Sequence, residues 1–464
     1  MKIQSIPLML LHLLVSLLLI SGCQTNPRSN VVGYIFAEES GLFAPYESNK
    51  PNSPTGSITG RVIRSGGITT TQGISGATVI IAERSGIPHS AQTDANGHYQ
   101  INNIPAGQYV PAAIALGFEE NALHDQFGIP TLITVQADSS ETVPDIVLSP
   151  KQPLHLPQPL APSVNLTTTA IYSATAPFPQ GAAAWIQTFT YEYNGATIDT
   201  LRLYTPLQQS TLSPSAGPRV DLPMLFMVYP TYVDLWQTVS VAYAAQGYAV
   251  VAISPVADRL LDIEAHALDA IVGLTLAQSG ALGSGISDQP AVALGGSFSS
   301  AVLNRIIQNL ASGTTSNQRT ASQPTTSQHT IGQIAALITV GGIGNAFDGA
   351  SEFYAGNITV PIGYEYAIPA LGPPHIIPLT FLRYSPVYAA SQFPPTLIIH
   401  TAADTVIPIQ QAYELEAALR THDIPVDVFY YEDVSHYLQI DENLTDAGAE
   451  MFYHILDYTE RFSQ

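Results

Sequence analysis

Hydrophobic positions along the chain fall into distinct regimes. Between Thr55 and Pro150, apolar and polar residues alternate in short runs such as GSITGRVI, GATVIIAE, TDANGHYQI, NIPAGQYVPAAIA and ETVPDIVL. Short period-two runs between turn signals predict a small all-β sandwich over residues 55–150. Asp94-Ala95-Asn96-Gly97 predicts a hairpin turn, with Gly97 suited to positive φ. From Lys151 to Gly181 the alternation lapses into KQPLHLPQPLAP, a Pro-rich composition that predicts an extended linker.

The pattern changes again over residues 182–464. TFTYEYNGATIDTLRLYTP predicts a hairpin about Asn194-Gly195. PMLFMVYP, YAVVAISP, AVALGG, IAALITVGG, PTLIIH and VDVFYYED then follow as strands separated by helical segments. The helices are expected near Leu260–Gln278, Ser299–Leu310 and Ile409–Arg420 and at the C-terminus. Near-continuous apolar strands alternating with helices predict an α/β fold whose mostly parallel sheet has helices on both faces. The Ser/Thr/Gln stretch Ala311–Thr330 reads as a polar loop inserted after the second of these helices.

The N-terminus adds a compartment to this picture. Lys2 precedes an apolar run, Pro7–Ile20, that is short for a membrane span and ends in Ile20-Ser21-Gly22-Cys23. Cys23 is the single cysteine of the chain, so no internal disulfide is available. The motif resembles the bacterial lipobox. That resemblance implies a signal peptide over residues 1–22, lipidation of Cys23, a tether over 23–54, and an extracytoplasmic protein anchored in the cell envelope. A net charge of −21 with only Lys2, Lys50 and Lys151 as lysines repels polyanions, which excludes nucleic acid as an expected partner.

Candidate chemistry lies at strand ends, where parallel α/β sheets bind ligands. In AVALGGSFSSAV, Ser297 stands between a strand and a helix, with Gly295 and Ser299 as the small flanking residues of a nucleophile elbow. A serine hydroxyl needs a base, and the base needs a carboxylate. Asp404 follows the strand PTLIIH, with Pro408 ahead of the next helix, and His436 follows the strand VDVFYYED. Ser, acid and His thus occur in the order this architecture uses. Asp348 is an alternative acid, whereas Asp433 is too close to His436 in sequence to span a site. His400 and His454 read as structural, and His98 as a strand-face residue. Asp94 opens a calcium-like loop, but Pro105 occupies the position eleven residues on where an acidic ligand is needed.

Two family resemblances follow from these residues. Gly60-Arg61-Val62, Gly76-Ala77-Thr78-Val79, Thr93–Tyr99, Ile104-Pro105-Ala106-Gly107 and Tyr109 resemble the carboxypeptidase regulatory-like domain, a transthyretin-like sandwich. This implies a non-catalytic spacer, or a module contacting cell-surface glycan or protein. Gly295-Gly296-Ser297-Phe298-Ser299, HTAADTVIP and VSHY resemble the α/β-hydrolase superfamily, in its dienelactone hydrolase, prolyl oligopeptidase and esterase/lipase branches. The resemblance implies Ser297 as nucleophile, Asp404 as acid, His436 as base, the Phe298 N–H as an oxyanion donor, and no metal or organic cofactor. The second oxyanion donor is expected at Thr231 or Tyr232, since Tyr229-Pro230-Thr231-Tyr232 replaces the family's usual His-Gly.

The stretch Asn345–Pro394, with YEYAIPALGPPHIIPL, is apolar and rich in Pro; it reads either as a pocket wall or as a packed loop. The expected activity is hydrolysis of a small-molecule or polymer ester. A prolyl oligopeptidase-like peptidase and a non-catalytic binding protein using the sandwich are the alternatives.

Overall fold

The computed structural model describes residues 53–66, 72–207, 221–283, 285–311, 333–358, 367–434, 436 and 445–463. Residues 1–52, on which the expected signal peptide, Cys23 and nearly all of the expected tether fall, and nearly all of the stretch Ala311–Thr330 lie outside these residues. The chain divides into two compact units. One runs up to Pro150 and also takes in Ala350–Leu382; the other comprises Lys151–Gly349 and Arg383–Gln464. The units therefore do not follow a single cut along the sequence.

The first unit holds the β-sandwich. One sheet runs in the order Ile146–Leu148, Thr55–Arg64, His98–Pro105, and the other in the order Pro88–Gln92, Thr78–Ala82, Ala112–Ile114, Asn121–Ala122. Their inward-facing residues meet in one core, which includes Ile58, Val62, Val79, Ile81, Tyr99 and Ile101. The hairpin turn forms as the sequence predicts. Gly97 has φ 83°, and Asp94 Oδ1 accepts hydrogen bonds from the N–H groups of Asn96 and His98. His98 is exposed on its strand. The insertion Ala350–Leu382 belongs to this unit, and in it the His375 carbonyl accepts the Val110 N–H at 2.8 Å.

The second unit is built on a nine-stranded sheet. Its strands are β1 (Thr167–Thr175), β2 (Ala183–Tyr193), β3 (Ala196–Pro206), β4 (Met224–Val228), β5 (Ala249–Ile253), β6 (Ala291–Ser297), β7 (Ile334–Gly342), β8 (Thr396–Thr401) and β9 (Val426–Tyr431). The spatial order is β1-β2-β3-β5-β4-β6-β7-β8-β9. β1 to β3 are antiparallel, β3 meets β5 antiparallel, and every later pairing is parallel. The expected linker is corrected here. Residues 167–175 are not extended linker but an edge strand zipped to β2, and Leu160–Ser163 forms a helical turn. The Asn194-Gly195 turn takes positive φ at both residues, 44° and 76°, as a type I′ hairpin requires.

Helices α1 (Gln237–Ala244), α2 (Ile263–Gln278), α3 (Phe298–Ala311), α4 (Gln410–Thr421) and α5 (Asp446–Phe462) cover the sheet. β4 and β5 are buried at every residue, which explains their unbroken apolar sequences. On one face Leu225, Met227, Val250, Ala252, Val292 and Leu294 pack with α1 and with Phe452 and Ile455 of α5. α2 and α3 pack against each other, and their buried faces include Ile271, Leu274, Val302 and Ile306. All the parallel strands end on the same edge of the sheet, and the loops leaving that edge carry the candidate chemistry.

Candidate active site

The turn from β6 into α3 is tight enough to dictate its residues. Ser297 lies at φ 50°, a left-handed conformation that costs a non-glycine residue about 1–3 kcal/mol unless its surroundings enforce it. A Cβ on Gly295 would come within 2.6 Å of Leu303 Cδ1, and one on Gly296 within 2.2 Å of the Val340 carbonyl oxygen. Ser299 stands where the G-x-S-x-G elbow pattern has glycine. Its buried hydroxyl accepts the Gly296 N–H at 3.1 Å and donates to the Gly296 carbonyl at 2.7 Å, so the departure stitches the turn closed. Ser300 donates to the Ser297 carbonyl at 2.7 Å and accepts the Ile343 N–H at 2.7 Å, tying the turn to the loop after β7.

Three side chains that are far apart in sequence meet at this turn. His436 Nε2 lies 3.2 Å from Ser297 Oγ, and His436 Nδ1 lies 2.6 Å from Asp404 Oδ2. The other carboxylate oxygen of Asp404 accepts the N–H groups of Val406 and Ile407 at 2.8 and 2.9 Å. Burial by itself would raise the Asp404 pKa. Hydrogen bonds from His400 and His436, with the Ile407 N–H, outweigh it and hold the carboxyl well below the usual carboxylate range. Asp404 therefore stays ionised at neutral pH and fixes the Nδ1–H tautomer of His436, leaving Nε2 to face the serine.

Several neighbours complete the surroundings of the pair. His400 Nε2 donates to the Ile407 carbonyl at 2.7 Å and lies 3.4 Å from Asp404 Oδ2, so the shorter contact is its main bond and it braces the Asp404 loop. Gly341 has φ 55°, and a Cβ there would sit 3.4 Å from His436 Nδ1 and 3.5 Å from Asp404 Oδ2. That contact would be ordinary, so the left-handed backbone angle, and not lack of space, is what calls for glycine here. Asp348 is turned elsewhere, accepting from Gln411 Nε2 at 3.1 Å, and is not part of the Ser297–His436 contact. Gln411 Oε1 also accepts the N–H groups of Gly344 and Asn345. His454 stacks on Phe429 at 3.5 Å within α5, and Asp433 is exposed.

The loop after β4 runs beside the turn, because Val228 pairs with Gly295 across the sheet. In it Thr231 Oγ1 accepts the Trp236 indole N–H at 2.8 Å, Trp236 stacks on Tyr229, and Tyr232 is exposed. Phe298, directly after Ser297, is flanked by the rings of His266 and Tyr384. Among the described residues no group of three or more His, Cys, Asp or Glu could hold a metal ion. No described helix is long and apolar enough to cross a membrane.

Residues 57–149 match the carboxypeptidase regulatory-like domain, and residues 379–461 match the prolyl oligopeptidase family. The chain joins these two domains. The second match spans Asp404 and His436 and stops short of Ser297, which the sheet order and the turn geometry bring to the same edge. This carboxypeptidase regulatory-like domain is the N-terminal sandwich, and the prolyl oligopeptidase-family domain has the α/β-hydrolase fold. The chain is a serine hydrolase. Among solved structures it is similar to esterase 2 of Thermogutta terrifontis at 14% identity, over 56% of this chain and 86% of that one, with a TM-score of 0.39. It is also similar to esterase B of Lactobacillus rhamnosis at 12% identity, over 67% of this chain and 89% of that one, with a TM-score of 0.42. No curated protein sequence matches the chain.

Proposed function

We propose that the protein is a carboxylic ester hydrolase with Ser297 as nucleophile, His436 as general base and Asp404 as the orienting carboxylate. The observation that carries the reading is the unbroken run Ser297 Oγ, His436 Nε2, His436 Nδ1, Asp404 Oδ2 at 3.2 and 2.6 Å, set at a left-handed turn. His436 takes the hydroxyl proton as Ser297 Oγ bonds to the ester carbonyl carbon. The oxyanion formed is held by the Phe298 N–H and by a second donor from Thr231 or Tyr232. Collapse breaks the carbonyl carbon–alkoxy bond, and the imidazolium returns its proton to the departing alcohol. Water, deprotonated by His436, then releases the acid and restores Ser297. No step calls for a metal or an organic cofactor.

Fluorophosphonate labelling tests the assignment. The wild type is expected to label and Ser297→Ala is not; equal labelling of both would sink it. The prolyl oligopeptidase match favours a peptidase as the second reading. A panel of p-nitrophenyl esters beside aminoacyl anilides separates the two, with faster ester turnover expected. The reading includes a lipid anchor on Cys23, an extracytoplasmic envelope location, and contact of the sandwich with surface glycan or protein. Release of Cys23→Ala from membrane pellets is the expected sign of the anchor.

A further inference from the structure

The loop between β5 and α2 contains a strained turn. Arg259 to Asp262 form a tight reversal closed by the Asp262 N–H on the Arg259 carbonyl at 2.9 Å. Its first central residue, Leu260, sits at φ 50°, ψ −125°, the conformation that a type II′ turn reserves for glycine. Two side chains from outside the turn add to this closure. His266 of α2 donates Nε2–H to the Leu260 carbonyl at 2.8 Å, and the Tyr384 hydroxyl donates to the next carbonyl, that of Leu261. Both clasping rings flank Phe298, the residue that follows Ser297. So two buried side chains packed beside Phe298 clasp the carbonyls of a turn in which a leucine takes a glycine geometry, and that leucine is left 56% exposed. Glycine would satisfy the same turn without strain, so the retained isobutyl group itself calls for an explanation.

We infer that Leu260 is a specificity residue, a fixed apolar contact for the hydrocarbon chain of an uncharged ester bound at Ser297. The inference rests on the esterase reading above. The chemistry around the turn supports an apolar ligand. The adjacent cation, Arg259, faces inward: Nη2 and Nε pair with Asp269 at 2.9 and 3.0 Å, and Nη1 and Nη2 donate to the carbonyls of Asn194 and Tyr193. It is not on offer to a substrate carboxylate. On the same sheet edge, in the loop after β4, Tyr232 and Leu235 are also large, apolar and exposed. Isolated exposed apolar residues are ordinary, but one held at a backbone cost by the two rings that flank Phe298 is not.

The experiment is a chain-length series of p-nitrophenyl esters, acetate to octanoate, run on the intact wild type and on Leu260→Gly and Leu260→Phe, with melting temperatures recorded. Leu260→Gly is expected to melt no lower than wild type and to keep acetate turnover. Its kcat/KM for hexanoate relative to acetate is expected to fall about tenfold or more. Leu260→Phe is expected to alter the preferred chain length. Unchanged ratios in both variants, with acetate still hydrolysed, would overturn this inference alone. A wild type that hydrolyses no ester of the series would overturn the inference and the esterase reading together.

Discussion

Ser297 can hold its left-handed backbone because its neighbours take up the strain. Gly295 and Gly296 leave space, Ser299 closes the turn on itself, and Ser300 ties the Ser297 carbonyl to the loop after β7. Ser300 is the informative position, since its hydroxyl touches no reacting atom. Ser300→Ala is expected to lower kcat about tenfold with little change in KM, a loss on the scale of one buried hydrogen bond. Ser300→Thr should recover most of it, and stopped assays over a substrate range give both constants. An unchanged kcat in the alanine variant would remove the positioning role. At this scale residue type and chain order were enough to expect Ser297, Asp404 and His436 on one sheet edge, where they lie within hydrogen-bonding distance of one another. The sequence marked His400 as structural, though not what it braces, and it was silent on Gly341, because a glycine without a turn motif looks ordinary until folding brings Asp404 beside it.

The elements were legible where burial had shaped them. β4 and β5 announce themselves because both faces are covered, and the Asn194-Gly195 turn because its geometry is restrictive. β1 failed the same test for a physical reason: nearly all of it is exposed, so Thr167–Thr175 has no apolar alternation to read. The Arg259–Asp262 turn was hidden too, since a leucine stands where a turn signal would be glycine.

α2 also makes a pH prediction. Burial, the largest effect, pulls its His266 down to about 4 against the bond to the Leu260 carbonyl, and the charge of Arg259 acts in the same direction as burial. The unfolded chain takes up a proton near 6.5 that the folded one refuses until about 4. The contribution is therefore complete above pH 6.5 and lost as pH falls through that interval. Asp269, on the same helix, is pushed up to about 6 by burial despite Arg259, and it acts in the opposite sense, favouring the fold as pH falls. The comparison that isolates His266 is the wild type against His266→Gln. Between pH 7 and 4.5 the wild type is expected to lose about 1–3 kcal/mol more than the variant, read by thermal or urea melts. Parallel pH profiles would refute it.

For the whole molecule, the domain reading placed a sandwich first and a hydrolase after it in the sequence. Composition marks that succession well. It does not mark that Ala350–Leu382, deep in the hydrolase half of the sequence, shares a compact unit with the sandwich. Nothing in a period or a turn signal records a partner more than two hundred residues away, such as Val110 for His375. A protein beginning at Lys151 should accordingly melt lower than the longer chain, because the insertion loses the surface it packs on and the His375 carbonyl loses its donor. Calorimetry on both lengths gives the answer, and equal melting temperatures would contradict it.

That shared unit also limits how such proteins can be recombined. A chimaera that exchanges only the N-terminal module with another member of its kind would import a surface for which residues 350–382 were never shaped. To be functional, a swap must carry both stretches as one cassette, even though the sequence keeps them apart.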